Sequence, residues 1–245
     1  MTMRRAVAAG LLALLPLAAQ AAPAPVVVFE VPDVARLHLF LRDAAGHVYG
    51  SLTAVAAAVR ADGHQLVFAM NAGMYEDDRS PTGLFVAEGR QEHALNTLGR
   101  PPGRVTPNFY VAPNGVFAVT ASGPVIVATS DWASAPPANV RLATQSGPLL
   151  LLRGQLVAPL VAQGTDAVAS QWRRNGVCVN GRTVLLVEAD AMTLHQFAAW
   201  LRDTLHCQDA LYLDGVISSV WDSRSGRHDL VDPGRPLGPI LGFVQ

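Results

Sequence analysis

The sequence predicts an α+β fold: a mixed, mostly antiparallel sheet with few helices and one β-α-β crossover near the C-terminus. Three observations predict it. Short apolar runs bounded by turn residues recur along the chain. Two-residue turn pairs, Asn114-Gly115, Arg153-Gly154 and Asn180-Gly181, punctuate them as hairpin signals. Only two stretches carry the period of an amphipathic helix.

In chain order, Val26–Glu30 and Arg36–Leu41 read as strands. Ser51 is placed to cap a helix over Leu52–Ala61, with Leu52, Val55 and Val59 on its apolar face and Gly63 just past its end. Leu66–Met70 is a fully apolar run, hence a buried strand. Asn71 to Pro81 is a long connection rich in Gly, Asp and Ser. Gly83–Glu88 and Asn108–Val111 read as strands, and Asn114-Gly115 is expected to join Phe109–Val111 to Val116–Val119 as a hairpin. Pro124–Thr129 follows. Leu149–Leu152 and Leu156–Val157 flank Arg153-Gly154; Val177–Val179 and Val184–Val187 flank Asn180-Gly181. Strand Val184–Glu188 leads into a helix that Thr193 and Gln196 open as a capping box. Leu194, Phe197, Ala198, Leu201 and Leu205 form its buried face. Ala210–Leu213 is the returning strand, parallel to the first if the crossover holds.

Composition narrows the function. The chain has 245 residues, 50% of them apolar and 15% charged, which excludes a disordered chain. With 18 basic and 19 acidic residues the net charge is −1, so nothing argues for a nucleic-acid or anionic-membrane partner. Every basic residue is Arg. The absence of Lys excludes a Schiff-base lysine and a P-loop lysine, and leaves any phosphate to Arg, backbone N–H groups or small polar side chains.

The N-terminus reads as an export signal over residues 1–21. Arg4 and Arg5 precede an uncharged run, Ala6–Ala19, and Ala19-Gln20-Ala21 fits a cleavage site before Ala22. The run is short of the roughly 20 residues that span a bilayer. Cleavage leaves residues 22–245 as a single domain with no membrane span, periplasmic or secreted. In that setting Cys178 and Cys207 either form a disulfide, if their strands are neighbours, or remain two buried thiols.

The crossover bears on chemistry. Both of its strands end at one edge of the sheet, so Asp190 and Asp214 emerge together, where ligands of open sheets bind. Adjacent strands lie about 4.8 Å apart, or about 10 Å with one strand between. Both separations are near the range of about 5–9.5 Å for paired glycosidase carboxylates. Asp190 is equally placed to serve as a charge ahead of a helix start.

Several segments together resemble a known family. They are Phe68-Ala69-Met70-Asn71-Ala72-Gly73-Met74-Tyr75, Pro81-Thr82-Gly83-Leu84, Asn108-Phe109, Asn114-Gly115-Val116-Phe117, Ala143-Thr144-Gln145-Ser146-Gly147-Pro148, Arg174-Asn175-Gly176-Val177 and Ala210-Leu211-Tyr212-Leu213-Asp214-Gly215. In this order they resemble the phosphodiester glycosidases, relatives of the lysosomal uncovering enzyme, and in particular their bacterial exported branch. The resemblance runs from about Leu66 to Trp221. Gly215-Val216-Ile217-Ser218 departs from the family's Gly-Gly-Gly-Ser, and Cys178 stands where Gly is frequent.

The resemblance implies an exported hydrolase that cleaves the sugar–phosphate bond of a glycosyl phosphodiester, taking a carbohydrate or sugar phosphate. Such chemistry needs a carboxylate at the anomeric carbon and donors on the phosphate. Asp214 and Asp190 are the candidate catalytic carboxylates. Alternation along a strand lets only one of Arg173 and Arg174 face the site, and the resemblance implies Arg174 as the phosphate ligand. Asn71, Gly73, Thr82, Gln145, Ser146, Asn175 and Ser218 are the candidate substrate-binding residues. Glu76, Asp77 and Asp78 read as a solvated loop face, and neither His195 nor His206 has metal-ligand spacing, so no metal and no cofactor is expected. A different polysaccharide hydrolase or lyase on the same scaffold, or a carbohydrate-binding domain without catalysis, remains the alternative. The oligomeric state is not fixed by the sequence.

Overall fold

The structure is a computed structural model that describes residues 26–99, 107–157, 160, 169–215, 217–229 and 235–245. The expected export signal lies outside the described residues. The elements are β1 (Val26–Glu30), β2 (Leu37–Phe40), α1 (Leu52–Ala61), β3 (Leu66–Asn71), β4 (Phe85–Ala87), β5 (Arg90–His93), β6 (Gly115–Thr120), β7 (Gly123–Ala128), α2 (Thr129–Ser134), β8 (Val140–Ser146), β9 (Leu149–Leu152) and β10 (Gln155–Leu156). They continue with β11 (Trp172–Asn180), β12 (Thr183–Met192), α3 (Leu194–Asp203), β13 (Asp209–Tyr212), β14 (Val220–Asp222), β15 (Arg227–His228) and β16 (Ile240–Val244).

The strands make three sheets, in the orders β1-β12-β11-β13-β9-β10, β15-β14-β3-β16-β2 and β5-β4-β8-β6-β7. Local sequence explains much of this. Ser51 accepts a hydrogen bond from the Ala54 N–H at 3.1 Å and starts α1, whose Leu52, Val55, Ala56 and Val59 are buried. Thr193 and Gln196 close the capping box of α3. Arg153 and Gly154 both take positive φ, 51° and 76°, as a two-residue turn between β9 and β10 requires. The turn expected at Asn180-Gly181 falls one residue later: Asn180 pairs with Thr183, and Gly181 and Arg182 lie between the strands.

The crossover is met only in part. Both β12 and β13 pair antiparallel with β11, so they point the same way without touching. Every strand pair among the described residues is antiparallel, and the expected mixed sheet gives way to antiparallel ones. The Asn114-Gly115 hairpin is also corrected. Asn108–Tyr110 is a 3-10 turn, and β6 pairs with β7 and β8 instead. Pro107 and Pro113 bracket that segment and offer no N–H to a ladder. The amide of Asn114 donates back to the Phe109 carbonyl at 3.1 Å, which folds the segment on itself.

Apolar side chains of all three sheets form the main core, including Phe85, Phe117 and Leu142 of the third. Phe29 of β1 stacks on Phe68 of β3 at 4.5 Å and packs near Phe243 of β16 at 5.5 Å. Burying each such ring contributes about 1.5–3 kcal/mol. Arg141 of β8 donates to the carbonyls of Leu37 and Val34 at 2.8 and 2.6 Å, joining the third sheet to the second.

Cys178 and Cys207 are bonded as a disulfide, with both residues buried. The bridge ties β11 to the segment between α3 and β13, closing a loop of sequence separation 29. Reduction is expected to lower the unfolding free energy by about 3–4 kcal/mol, the loop-closure value for this length. Denaturant unfolding with and without reductant measures it; coincident curves would show that the bridge does not limit the unfolded chain.

Candidate functional site

Three strand ends of the first sheet meet one strand end of the second. Gly176 of β11 lies opposite Tyr212 of β13, and Arg174 lies opposite Ala189 of β12. The start of β11, the end of β12 and the end of β13 therefore share one edge. In the second sheet, Asn71 ends β3 opposite Ile240 at the start of β16.

Asn71 joins these ends. It is buried, and its Nδ2 donates to the Asp214 carbonyl at 2.6 Å. Its Oδ1 accepts from the Ser219 N–H at 3.1 Å, and its carbonyl accepts from Asn175 Nδ2 at 3.0 Å. One asparagine thus fixes β3, β11 and the Asp214–Ser219 turn together. That turn is tight: Ser218 N–H donates to the Gly215 carbonyl at 3.0 Å. A Cβ at Gly215 would overlap the Arg173 carbonyl and the Tyr212 hydroxyl, so only glycine lets the chain pass so close to β11. Asp214, directly before it, is half-buried.

Two buried polar atoms here lack a hydrogen-bond partner among the described residues: Asn175 Oδ1 and Ser218 Oγ. Leaving each unpaired costs about 1–3 kcal/mol. They flank the Asp214 turn, since the Asn175 carbonyl accepts from the Leu213 N–H at 3.1 Å.

The two neighbouring arginines part company. Arg174 is fully buried, and its guanidinium serves the protein. Nε donates to the Met192 carbonyl at 2.7 Å, one terminal nitrogen to the Tyr212 hydroxyl at 3.3 Å, and the other to the carbonyl and hydroxyl of Ser170. The Tyr212 hydroxyl in turn accepts from the Gly215 N–H at 2.8 Å. Burial pushes the Tyr212 phenol above its ordinary value, and the Arg174 charge opposes that. The geometry makes Arg174 a prop for the Asp214 turn. Arg173 is the more exposed of the pair; it donates to the Ser218 carbonyl at 3.4 Å and lies 3.9 Å from Asp229.

Asp190 lies within β12 rather than after it, and is exposed. Its carboxylate accepts from the adjacent Ala191 N–H at 2.8 Å. It shares the edge with Asp214, with β11 between their strands, a separation of about 10 Å. The remaining candidates sit deeper. Gln145 Oε1 accepts from the N–H groups of Leu84 and Asn96, both at 2.9 Å, and its Nε2 donates to the Asn96 carbonyl and Thr129 hydroxyl. Ser146 donates to the Leu213 carbonyl at 3.0 Å. The Gly73 N–H donates to Thr144 Oγ1 at 3.2 Å, and the Thr82 carbonyl accepts from Asn96 Nδ2 at 2.8 Å. These four hold the Asn71–Gly83 connection and the end of β13 against β8. Asn71, Asn175, Ser218 and Asp214 are brought together; Gly73, Thr82, Gln145 and Ser146 support them.

Sequence reasoning missed other groups at this edge. Glu188, opposite Asn175, is buried, and its carboxylate accepts from Arg227 at 2.9 Å. Burial pushes its carboxyl above the ordinary value, while Arg227 pulls it back. Arg227 also pairs with Asp229 at 2.7 Å. Glu188 lay hidden because it ends an apolar run that reads only as core. Trp172, 56% exposed, opens β11. Tyr75 donates to the Pro236 carbonyl at 3.2 Å. Burial raises its phenol, and the Asp214 charge raises it further. Among the described residues no group of His, Cys, Asp and Glu is arranged to hold a metal ion.

Arg174→Lys keeps the charge but cannot serve Met192, Ser170 and Tyr212 at once. It is expected to lower stability by about 1–3 kcal/mol for the polar groups left unpaired. Arg173→Lys is expected to stay within about 0.5 kcal/mol. Chemical denaturation of both variants decides it, and equal losses would contradict the assignment of faces.

Comparison with known proteins adds the following. The family model described as phosphodiester glycosidase matches residues 64–244. The chain is 33% identical over 192 residues to the uncharacterized protein YigE of Escherichia coli K12, covering 78% of this chain and 71% of that one. Among solved structures it resembles a hypothetical protein from Synechocystis, with TM-score 0.51 and 15% identity over 90% of this chain. It spans 59% of that Synechocystis chain. A Burkholderia pseudomallei K96243 protein gives TM-score 0.53 and 15% identity, over 89% of this chain and 73% of that one. At this identity the two structures speak for the fold alone.

Proposed function

The chain belongs to the phosphodiester glycosidase family, and on that premise we propose that it hydrolyses the sugar–phosphate bond of a glycosyl phosphodiester, with Asp214 as the reacting carboxylate. The observation that carries this reading is the pair of unpartnered buried atoms, Asn175 Oδ1 and Ser218 Oγ, beside the Asp214 turn. A hydroxyl-rich sugar supplies both a donor for Asn175 Oδ1 and an acceptor for Ser218 Oγ.

The reaction follows from these groups. The bond between the anomeric carbon and the phosphate oxygen breaks, and its electron pair leaves with the phosphate. Positive charge that develops at the anomeric carbon is stabilised by the Asp214 carboxylate. A water oxygen bonds to that carbon, and its proton passes to a carboxylate or to solvent. The products are the free sugar and a phosphate monoester. Asn71 holds the main chain of Asp214, and Arg174 acts through Tyr212 on Gly215, so both are positioning residues. Exposed Trp172 offers an apolar face on which a sugar ring can lie. The N-terminal segment supports export, and we propose a periplasmic or secreted location for this activity.

Asp214→Asn keeps the size of the side chain but removes its charge. It is expected to lower kcat on a glycosyl phosphodiester by about 10²–10⁴-fold, with an unchanged thermal melt. Asp190→Asn is expected to retain most of its turnover, because Asp190 is exposed and bonded to its own neighbour. Full activity in Asp214→Asn would end the catalytic assignment; loss accompanied by unfolding would make Asp214 structural. A comparable loss in Asp190→Asn would make the two carboxylates a catalytic pair.

A further inference from the structure

We infer that Arg79, seated over the Tyr75 ring on the Asn71–Gly83 connection, is the cation that binds the substrate's phosphate; this rests on the phosphodiester reading and names a residue for its anionic half. Four other arginines around the site are occupied, and Arg235 stands exposed. Arg174 is spent on Met192, Ser170 and Tyr212. Arg227 is held by Glu188 and Asp229, Arg224 by Asp222 at 2.9 Å, and Arg173 is shared between Ser218 and Asp229.

Arg79 is different. Its chain neighbours are Glu76, Asp77 and Asp78, yet it forms no ion pair among the described residues. Asp78 instead turns back to accept from the Ser80 N–H at 2.9 Å and the Ser80 hydroxyl at 2.5 Å. The Arg79 guanidinium lies 5.3 Å from the Tyr75 ring centroid, a cation–π seat.

The backbone holds that seat firmly. Arg79 sits at φ 70°, in the left-handed region. Its N–H donates to the Glu76 carbonyl at 2.9 Å, and Glu76 N–H donates to the Ser80 carbonyl at 2.8 Å. Tyr75 and Pro81 form an isolated antiparallel bridge, and Thr82 N–H donates to the Met74 carbonyl at 2.9 Å. Tyr75 is itself fixed, since its ring fills the space that a side chain at Gly238 would need. Its position in the chain is four residues past Asn71, whose amide holds Asp214. The Asp214 and Arg79 charges act on the Tyr75 hydroxyl in opposite directions. A half-buried guanidinium that meets the Tyr75 hydroxyl but no carboxylate among the described residues keeps further N–H donors to offer a phosphate.

The test is titration of inorganic phosphate into the full chain as wild type, Arg79→Gln, Arg79→Lys and Arg235→Gln, with a thermal melt of each. Arg235 is the control because its charge also acts on Tyr75, from an exposed position. Arg79→Gln is expected to weaken phosphate binding by about 10-fold or more, Arg79→Lys by less, and Arg235→Gln little. With a glycosyl phosphodiester, the Arg79→Gln loss is expected mainly in KM. Phosphate binding that is absent in the wild type, unchanged in Arg79→Gln, or lost only in Arg235→Gln would overturn the inference. Arg79-dependent phosphate binding in a protein that cleaves no glycosyl phosphodiester would uphold it and sink the proposed activity instead.

Discussion

The side chain of Asn71 is the constraint on which the rest depends. It ends a fully buried strand, and both halves of its amide are committed, Nδ2 to the Asp214 carbonyl and Oδ1 to the Ser219 N–H. Its own carbonyl is claimed by Asn175. A buried amide that satisfies backbone groups on a different chain segment fixes their distance and orientation, because leaving either unpaired costs about 1–3 kcal/mol. The second sheet is thereby locked to the first where the Asp214 turn emerges. Other anchors of the turn are the Leu213 N–H and the Gly215–Tyr212–Arg174 relay on β11 and the Ser146 hydroxyl of β8, none of which reaches the second sheet.

Around this tie the polar groups separate into two kinds. Gln145, Gly73 and Thr82 are bonded to other protein groups that keep the connection after β3 in place, and Ser146 holds the Leu213 carbonyl past β13. Arg174 behaves likewise despite its charge. Asn175 and Ser218 differ, each keeping one buried polar atom unpaired. Charge is arranged in the same spirit. Glu188, Arg227, Asp229 and Arg173 form a chain of alternating sign behind the Asp214 turn, where burial raises Glu188 and Arg227 offsets part of that rise. Its members satisfy one another, with Glu188 at the buried end and Arg173 at the exposed end.

Local signals in the sequence had local causes. The caps of α1 and α3, the apolar β3 and the turn at Arg153-Gly154 were legible because each depends on residues a few positions apart, and the β11–β12 turn was legible to within one residue. β8, β14 and β15 were not, since short strands of mixed polarity are fixed by their partners rather than by their own pattern. The same divide runs through the site. Asn71 ends β3 and Asp214 follows β13, positions that sequence reveals, whereas Asn175 lies inside β11. Which of Arg173 and Arg174 points inward depends on where the bulge between Trp172 and Arg174 falls, and that is set by β12. Arg174 is burdened with internal partners that lie 4, 18 and 38 residues away, so its occupation was invisible in the chain.

The central claim is that reaction takes place at the anomeric carbon, beside Asp214, and not at phosphorus. Hydrolysis of a glycosyl phosphodiester in 18O-enriched water separates the two, since the phosphate monoester keeps whatever oxygen it acquires. Mass spectrometry of that product is predicted to find no 18O, because the C–O bond breaks and water joins the sugar. One 18O atom in the phosphate monoester would mean attack at phosphorus and would contradict the account.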